Sequence, residues 1–308
     1  MSPVPVTVIT GFLGAGKTTL LDAWLRAHTP SEVAVIINEV ASQGIDGELL
    51  RGRAEQLVEI TAGCICCTTN QELLHALETL AASTPKRIFI EMSGAASPAG
   101  VVRAALHVEG ILLDGIVTVV DASGQAPLPP LLVDLAQEQL AYADVVVLSQ
   151  VDRAEPEAVR KATQAVLAVN PTAVQVEAIR GVVRGHTFAS LLAQRAESLT
   201  PPPRENASHG AVETLVLTAP GELDPDAFAD WVERDLGAFE SRLFRVKGIV
   251  AVAGLPDRLV VQGVAGRLEA SLGLPWGPAA RTSRLVVIGY GLDPLCLREG
   301  FARTRVVT

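Results

Sequence analysis

Gly11-Phe12-Leu13-Gly14-Ala15-Gly16-Lys17-Thr18 decides the reading of this chain. The stretch matches Gly-x-x-x-x-Gly-Lys-[Ser/Thr] at every fixed position. Its context fits too: the β-branched run Val4–Thr10 precedes it and a helical pattern, Lys17–His28, follows. Three glycines let a backbone wrap around phosphates with its N–H groups pointing inward, and the following helix adds the positive end of its dipole. Gly11, Gly14, Ala15, Gly16, Lys17, Thr18 and Thr19 are therefore the expected phosphate-binding residues. Lys17 is expected to reach the β- and γ-phosphates and the Thr18 hydroxyl to ligate Mg²⁺.

Outward from this loop, short apolar runs alternate with helical stretches over the first 195 or so residues. Val4–Thr10, Val33–Glu39, Leu57–Thr61, Arg87–Ser93, Ile116–Asp121, Val145–Val151 and Val174–Ile179 read as strands. Lys17–His28, Asn70–Ala82 and Glu155–Val169 read as helices. Several strands are apolar almost throughout, as strands covered on both faces must be. The expectation is an α/β fold, a doubly wound and mostly parallel P-loop sheet spanning residues 1–197. Residues 198–210, with Pro201-Pro202-Pro203, read as a linker. Residues 211–308 read as a smaller α+β domain with strands near Glu213–Ala219, Arg242–Val252, Arg258–Val264 and Arg284–Gly289. A helix capped at Asp224-Pro225 follows the first of these, and another closes the chain.

The chain has 308 residues, 49% hydrophobic and 19% charged, which allows two sizeable cores. Its net charge of −9 leaves no electrostatic footprint for a nucleic-acid backbone, so an anionic nucleotide must be held by local groups. No apolar run approaches the roughly 18 residues of a bilayer span, and no basic leader precedes the first strand. A cytoplasmic protein without nucleic-acid or membrane partners is expected.

Hydrolysis needs more than a cradle. The strand from Arg87 ends in Glu91-Met92-Ser93-Gly94. A carboxylate there can hold the Mg²⁺ shell or orient the attacking water, unless it is a solvated strand-end group. Gly94 could present its N–H to the γ-phosphate. Lys17, Glu91 and Gly94 are the catalytic candidates. For the base, Ser149-Gln150-Val151-Asp152 stands where P-loop GTPases carry Asn-Lys-x-Asp. Asp152 keeps the acceptor for the guanine N1–H and N2–H₂ groups, unless it is an ordinary helix N-cap. Ser149 is a shorter substitute for Asn. Gln150 lacks both the charge and the long stem that Lys lays over the base, so guanine preference is expected to survive but weaken.

Three of the four cysteines, Cys64, Cys66 and Cys67, fall within four residues just after the strand ending at Thr61. Such neighbours rarely make an unstrained disulfide. Thiolates favour Zn²⁺, Cu⁺ or iron–sulfur centres, and three of them leave one tetrahedral position open, which suits a metal that is handed over. Buried small hydrophobes are the alternative.

Together these residues resemble the CobW family of P-loop GTPases. The resemblance rests on Gly-Phe-Leu-Gly-Ala-Gly-Lys-Thr-Thr-Leu from Gly11, then Asn38-Glu39, Gly44-Ile45-Asp46, Gly63-Cys64-Ile65-Cys66-Cys67-Thr68, and Glu91-x-Ser-Gly with Pro98. Arg245-Val246-Lys247-Gly248 and Val286-Val287-Ile288-Gly289 extend it through the second domain. It implies slow hydrolysis of GTP to GDP coupled to binding and delivery of a transition metal, most often zinc, to a client metalloprotein. It also implies a metal site built from the Cys-x-Cys-Cys thiolates with Glu39. The family's second carboxylate position holds Ser42, and the histidine-rich loop of many zinc-chaperone members is missing.

Two other readings compete. A P-loop small-molecule kinase predicts a basic lid, for which Arg51-Gly52-Arg53 is the nearby candidate. A nucleotide-gated redox or interaction module predicts that Cys66 and Cys67 oxidise rather than bind metal.

Overall fold

The computed structural model describes residues 2–39, 50, 52–61, 68–124, 130–188, 190–191, 207–209 and 212–306. The chain packs as two compact units. One is Met1–Val166 with Ala173–Ser198, and the other is Leu167–Thr172 with Leu199–Thr308.

The first unit carries β1 (Val4–Thr10), β2 (Val33–Glu39), β3 (Gln56–Thr61), β4 (Arg87–Met92), β5 (Ile111–Asp121), β6 (Val145–Ser149), β7 (Val174–Ile179) and β8 (Val182–Val183). They form one sheet in the order β3-β2-β4-β1-β5-β6-β7-β8, parallel throughout except for the β7–β8 hairpin. Helices α1 (Lys17–Leu25), α2 (Thr68–Ser83), α3 (Ala99–His107), α4 (Pro130–Tyr142) and α5 (Pro156–Val169) connect them.

Burial explains the apolar strands. On one face, Leu20, Leu21, Trp24 and Leu25 of α1 pack against Ile9, Val35, Ile37, Phe89, Val117 and Val119. The intervening residues Val8, Ile36, Ile90 and Val146 point the other way and are also fully buried. On that second face Val146 and Leu148 cluster with Ala143 and with Val166 of α5. The strand order reverses at β1, with β4 on one side and β5 on the other. The crevice at the carboxyl end of β1 is therefore the topological switch point, where open α/β sheets bind ligands.

The α/β class is as expected, with differences at element ends. Strand β6 stops at Ser149 rather than Val151 because Gln150 adopts φ +57°, which no strand continues. Helix α1 stops at Leu25 rather than His28, and β5 begins at Ile111, well ahead of Ile116.

The second unit is an antiparallel sheet of β9 (Ala207–His209), β10 (Val212–Pro220), β11 (Leu243–Val250), β12 (Asp257–Val264), β13 (Arg267–Pro275) and β14 (Thr282–Gly289). The order is β13-β12-β11-β14-β10-β9. Helices α6 (Pro225–Trp231) and α7 (Pro294–Arg303) bury Phe228, Trp231, Leu297 and Phe301 against Leu217, Val246, Leu285 and Val287. The Asp224 carboxylate caps α6, accepting from the Ala227 N–H at 2.9 Å. Two strands were not anticipated. Ala207–His209, inside the stretch read as a linker, pairs with β10. Strand β13, rich in small and polar residues, lies at a sheet edge and is largely exposed. No helix among the described residues is long and apolar enough to cross a membrane.

Candidate functional site

The loop from Gly11 to Gly16 leaves β1 at the switch point and enters α1. Gly14 and Gly16 hold φ of +76° and +95°, left-handed conformations that turn successive N–H groups to one side. Gly16 is the N-cap of α1 and no side chain caps it, so the helix offers its first N–H groups to a ligand. Lys17 is 8% exposed, and its ammonium reaches back over the loop to donate to the Phe12 carbonyl at 3.1 Å.

Ile9 of β1 pairs with Glu91 of β4, which brings the Glu91 carboxylate to the start of α1. The Thr18 hydroxyl donates to Glu91 Oε1 at 2.6 Å. Glu91 is 4% exposed, so the alternative of a solvated strand-end carboxylate is wrong. A hydroxyl and a carboxylate oxygen this close form a hard-oxygen pair suited to Mg²⁺, and the chemistry of this donor set fits that ion. Gly94 follows closely. A Cβ added there would lie 2.4 Å from the Leu13 nitrogen, so this backbone rests directly on the phosphate loop.

The segment after β6 braces the same loop. Ser149 Oγ lies 2.6 Å from the Ala15 carbonyl and 3.1 Å from that of Val120, and its single proton is committed to these two acceptors. Gln150 Nε2 donates to the Gly14 carbonyl at 3.2 Å. Beside this brace opens a cavity of about 570 Å³, lined in part by Thr19, Val119, Ser149, Asp152, Arg153 and Arg180. Asp152 is exposed at this cavity and precedes the first residue of α5, Pro156, by too much to be its N-cap. The helix-cap reading of Asp152 therefore fails.

Three residues escaped the sequence reading. Arg180 (φ +50°) and Gly181 (φ +79°) are the two central residues of the β7–β8 hairpin, which puts Arg180 on the cavity wall. An X-Gly pair between two β-branched runs was the available signal. Arg153 lines the cavity too, with Nη1 3.4 Å from Gln150 Oε1. Gln139 was missed because it acts through a tertiary contact described below. Of the basic-lid candidate, Arg53 is engaged elsewhere, donating to Asp22 on α1 at 2.9 Å.

Cys64, Cys66, Cys67, Ser42, Arg51 and the run Gly44-Ile45-Asp46 lie outside the described residues. The strands that lead to them are described. Glu39 ends β2 in register with Thr61, which ends β3. The backbone of Glu39 thus lies beside the point where the chain departs toward Cys64. The fourth cysteine, Cys296, is free and exposed.

Residues 5–177 match the model of the CobW/HypB/UreG nucleotide-binding domain, and residues 212–305 match that of the cobalamin synthesis protein cobW C-terminal domain. The chain belongs to the CobW family. Among its relatives, the zinc chaperone CobW of Pseudomonas aeruginosa is 33% identical over 95% of this chain and 89% of that protein. The zinc chaperone YjiA of Escherichia coli is 32% identical over 99% of this chain and 100% of its own length. The crystal structure of zinc-bound YjiA GTPase superposes with a TM-score of 0.69 at 26% identity, covering 99% of this chain and all of that one. The CobW-family assignment reaches both units of the chain: the C-terminal match lies within the second unit, and the N-terminal match lies in the first apart from Leu167–Thr172.

Proposed function

We propose that this CobW-family chain hydrolyses GTP and couples the reaction to binding and delivery of zinc to a client metalloprotein. The observation that carries the hydrolysis is the 2.6 Å Thr18–Glu91 contact at the mouth of a glycine-rich phosphate loop. The P-loop N–H groups and the α1 N-terminus would hold the α- and β-phosphates. Lys17 would exchange its Phe12 carbonyl for the β- and γ-phosphate oxygens, and the Gly94 N–H would donate to the γ-phosphate. Thr18 and Glu91 would hold Mg²⁺, which would supply positive charge against the negative charge that develops on the phosphates. Glu91 would also order the attacking water.

Base recognition would fall to the cavity beside Ser149 and Gln150, with the Asp152 carboxylate accepting from guanine N1–H and N2–H₂. Gly11, Gly14, Ala15, Gly16, Thr19, Ser149 and Gln150 would frame the nucleotide. Zinc is the cargo, and its ligands would be Cys64, Cys66, Cys67 and Glu39. This assignment draws on the zinc chaperones to which the chain is similar and on thiolate softness. We place the protein in the cytoplasm, with no nucleic-acid or membrane partner. A small-molecule kinase is disfavoured by the Arg53–Asp22 contact.

The test has two parts. Phosphate release from GTP with no acceptor present is expected. Zinc titrated into reduced protein is expected to bind with different affinity beside GDP and beside a non-hydrolysable GTP analogue. Equal affinity in both states, unchanged when the three cysteines become serine, would remove the delivery reading.

A further inference from the structure

The loop that follows Glu91 is held by side chains of α4 as well as by the phosphate loop. Gln139 sits on α4, is 1% exposed, and faces the segment Gly94–Ala96. Its Nε2 donates to the carbonyls of Gly94 at 3.3 Å and Ala96 at 3.1 Å. The turn of helix that carries Gln139 is itself anchored, because the Thr118 hydroxyl of β5 donates to the Gln139 carbonyl at 2.7 Å. The neighbouring Glu138 accepts from Ser97 at 2.6 Å and fixes the far end of the same loop.

A primary amide carries two N–H bonds on one uncharged atom, so one side chain can bridge two carbonyls two residues apart. Leucine would leave the buried Gly94 carbonyl and the half-buried Ala96 carbonyl without this donor, and glutamate would face them with a carboxylate. On its other side the loop has no slack. Gly94 already touches the Leu13 backbone so closely that a Cβ would sit 2.4 Å from its nitrogen. Gly94 is thus clamped between Gln139 and the phosphate loop.

We propose that Gln139 is a positioning residue for GTP hydrolysis. Its amide sets the place and tilt of the Gly94 backbone, so that the Gly94 N–H meets the γ-phosphate without first having to be ordered. This rests on the GTPase reading above and adds to it a residue on a helix that contributes no motif. GDP lacks the γ-phosphate, so the clamp acts on the GTP state and on turnover, and leaves GDP binding alone.

The experiment uses the full-length chain with Gln139→Leu and Gln139→Glu. Three quantities are read: GDP affinity, affinity for a non-hydrolysable GTP analogue, and single-turnover hydrolysis at saturating GTP. Both variants are expected to bind GDP within about twofold of wild type, to lose about threefold to tenfold in the analogue-over-GDP affinity ratio, and to hydrolyse about tenfold or more slowly. Gln139→Glu is expected to recover rate as pH falls, because a protonated carboxyl regains one donor, whereas Gln139→Leu is not. A purely structural role would move the melting temperature but not this pH profile.

A folded variant with wild-type turnover and an unchanged affinity ratio overturns the proposal. If Gln139→Leu does not fold, Gln139→Glu with wild-type rate at every pH overturns it equally. Wild type that releases no phosphate would sink the GTPase reading instead, and the affinity ratio would still decide the role of Gln139.

Discussion

Replacing Gly94 by alanine tests the geometry of the site most directly. The added Cβ would stand 2.4 Å from the Leu13 nitrogen, 2.8 Å from its Cα and 2.8 Å from the Phe12 carbonyl carbon. All three are backbone atoms of the phosphate loop, so no side chain can rotate out of the way. An ordinary carbon contact needs roughly 3.5–4 Å, so the two loops must part by about 1 Å. Gly94 is not in the left-handed region, and the whole cost is therefore steric. Overpacking of this kind costs about 1–3 kcal/mol. In a domain of this size that lowers Tm by roughly 3–10 °C. The strain is relieved by the loop moving away from the phosphates, which withdraws the Gly94 N–H from the γ-phosphate. If the same 1–3 kcal/mol enters the transition state, single-turnover hydrolysis slows by about 5–150-fold. GDP affinity should change by less than about threefold. Scanning calorimetry and rapid-quench phosphate release measure the two arms. Gly94→Ala with wild-type Tm and wild-type hydrolysis would refute the close approach and the switch role together.

Further predictions follow from the same geometry. Glu91→Gln removes the charge but keeps the shape, and should slow GTP turnover about 10²-fold while leaving GDP binding nearly intact, as isothermal titration would report. Arg180→Ala should weaken GDP and IDP together by about threefold to tenfold and leave ADP unchanged if the guanidinium at the cavity wall donates to the purine 6-substituent, because an oxo group there accepts and an amino group does not. Equal loss for ADP would show that Arg180 serves the phosphates or the fold. Serine at Cys64, Cys66 and Cys67 should abolish the nucleotide-dependent part of zinc affinity, seen in a competition titration with a chromogenic chelator.

The phosphate loop and Glu91 were legible in the sequence because their chemistry demands fixed spacing. A strand, five residues and Gly-Lys-Thr can hardly be assembled otherwise, and a carboxylate at the end of a strand is a position as well as a residue type. The parallel sheet was legible for a related reason, since strands buried on both faces have no room for polar alternation. Ser149 and Gln150 were legible only by position. Comparison with Asn-Lys-x-Asp directs attention to the base, whereas the structure has both side chains donating to carbonyls of the phosphate loop. Gln139 and Arg180 were not legible. Each depends on a segment at least 40 residues away: Gln139 donates to Gly94, and Arg180 lines the same cavity as Thr19. Edge strand β13 failed for the opposite reason: with one long side open to solvent and little packing, its residues carry almost no constraint.

The path from nucleotide to metal can be argued from the register of the sheet. Glu91 lies opposite Ile9 of β1 on one side and Ile37 of β2 on the other. One carboxylate-bearing strand therefore separates the strand that feeds the phosphate loop from the strand that ends at Glu39. Those strands are packed on both faces, so a shift in any one of them would have to carry its close-packed neighbours with it. The loop after β4 is the better candidate, since polar contacts from Gln139 and Glu138 help to hold it. If it is the bistable element, loosening it should uncouple the two ligands. Gln139→Leu should then leave zinc affinity in the GDP state unchanged. It should reduce the GTP-analogue effect on zinc affinity toward unity from the 5–150-fold typical of a coupling of about 1–3 kcal/mol. Linkage requires zinc to lose its effect on analogue affinity by the same factor, so a single pair of titrations checks itself. A full-sized zinc effect in Gln139→Leu would mean that the signal bypasses the loop and runs through the β4–β2 backbone.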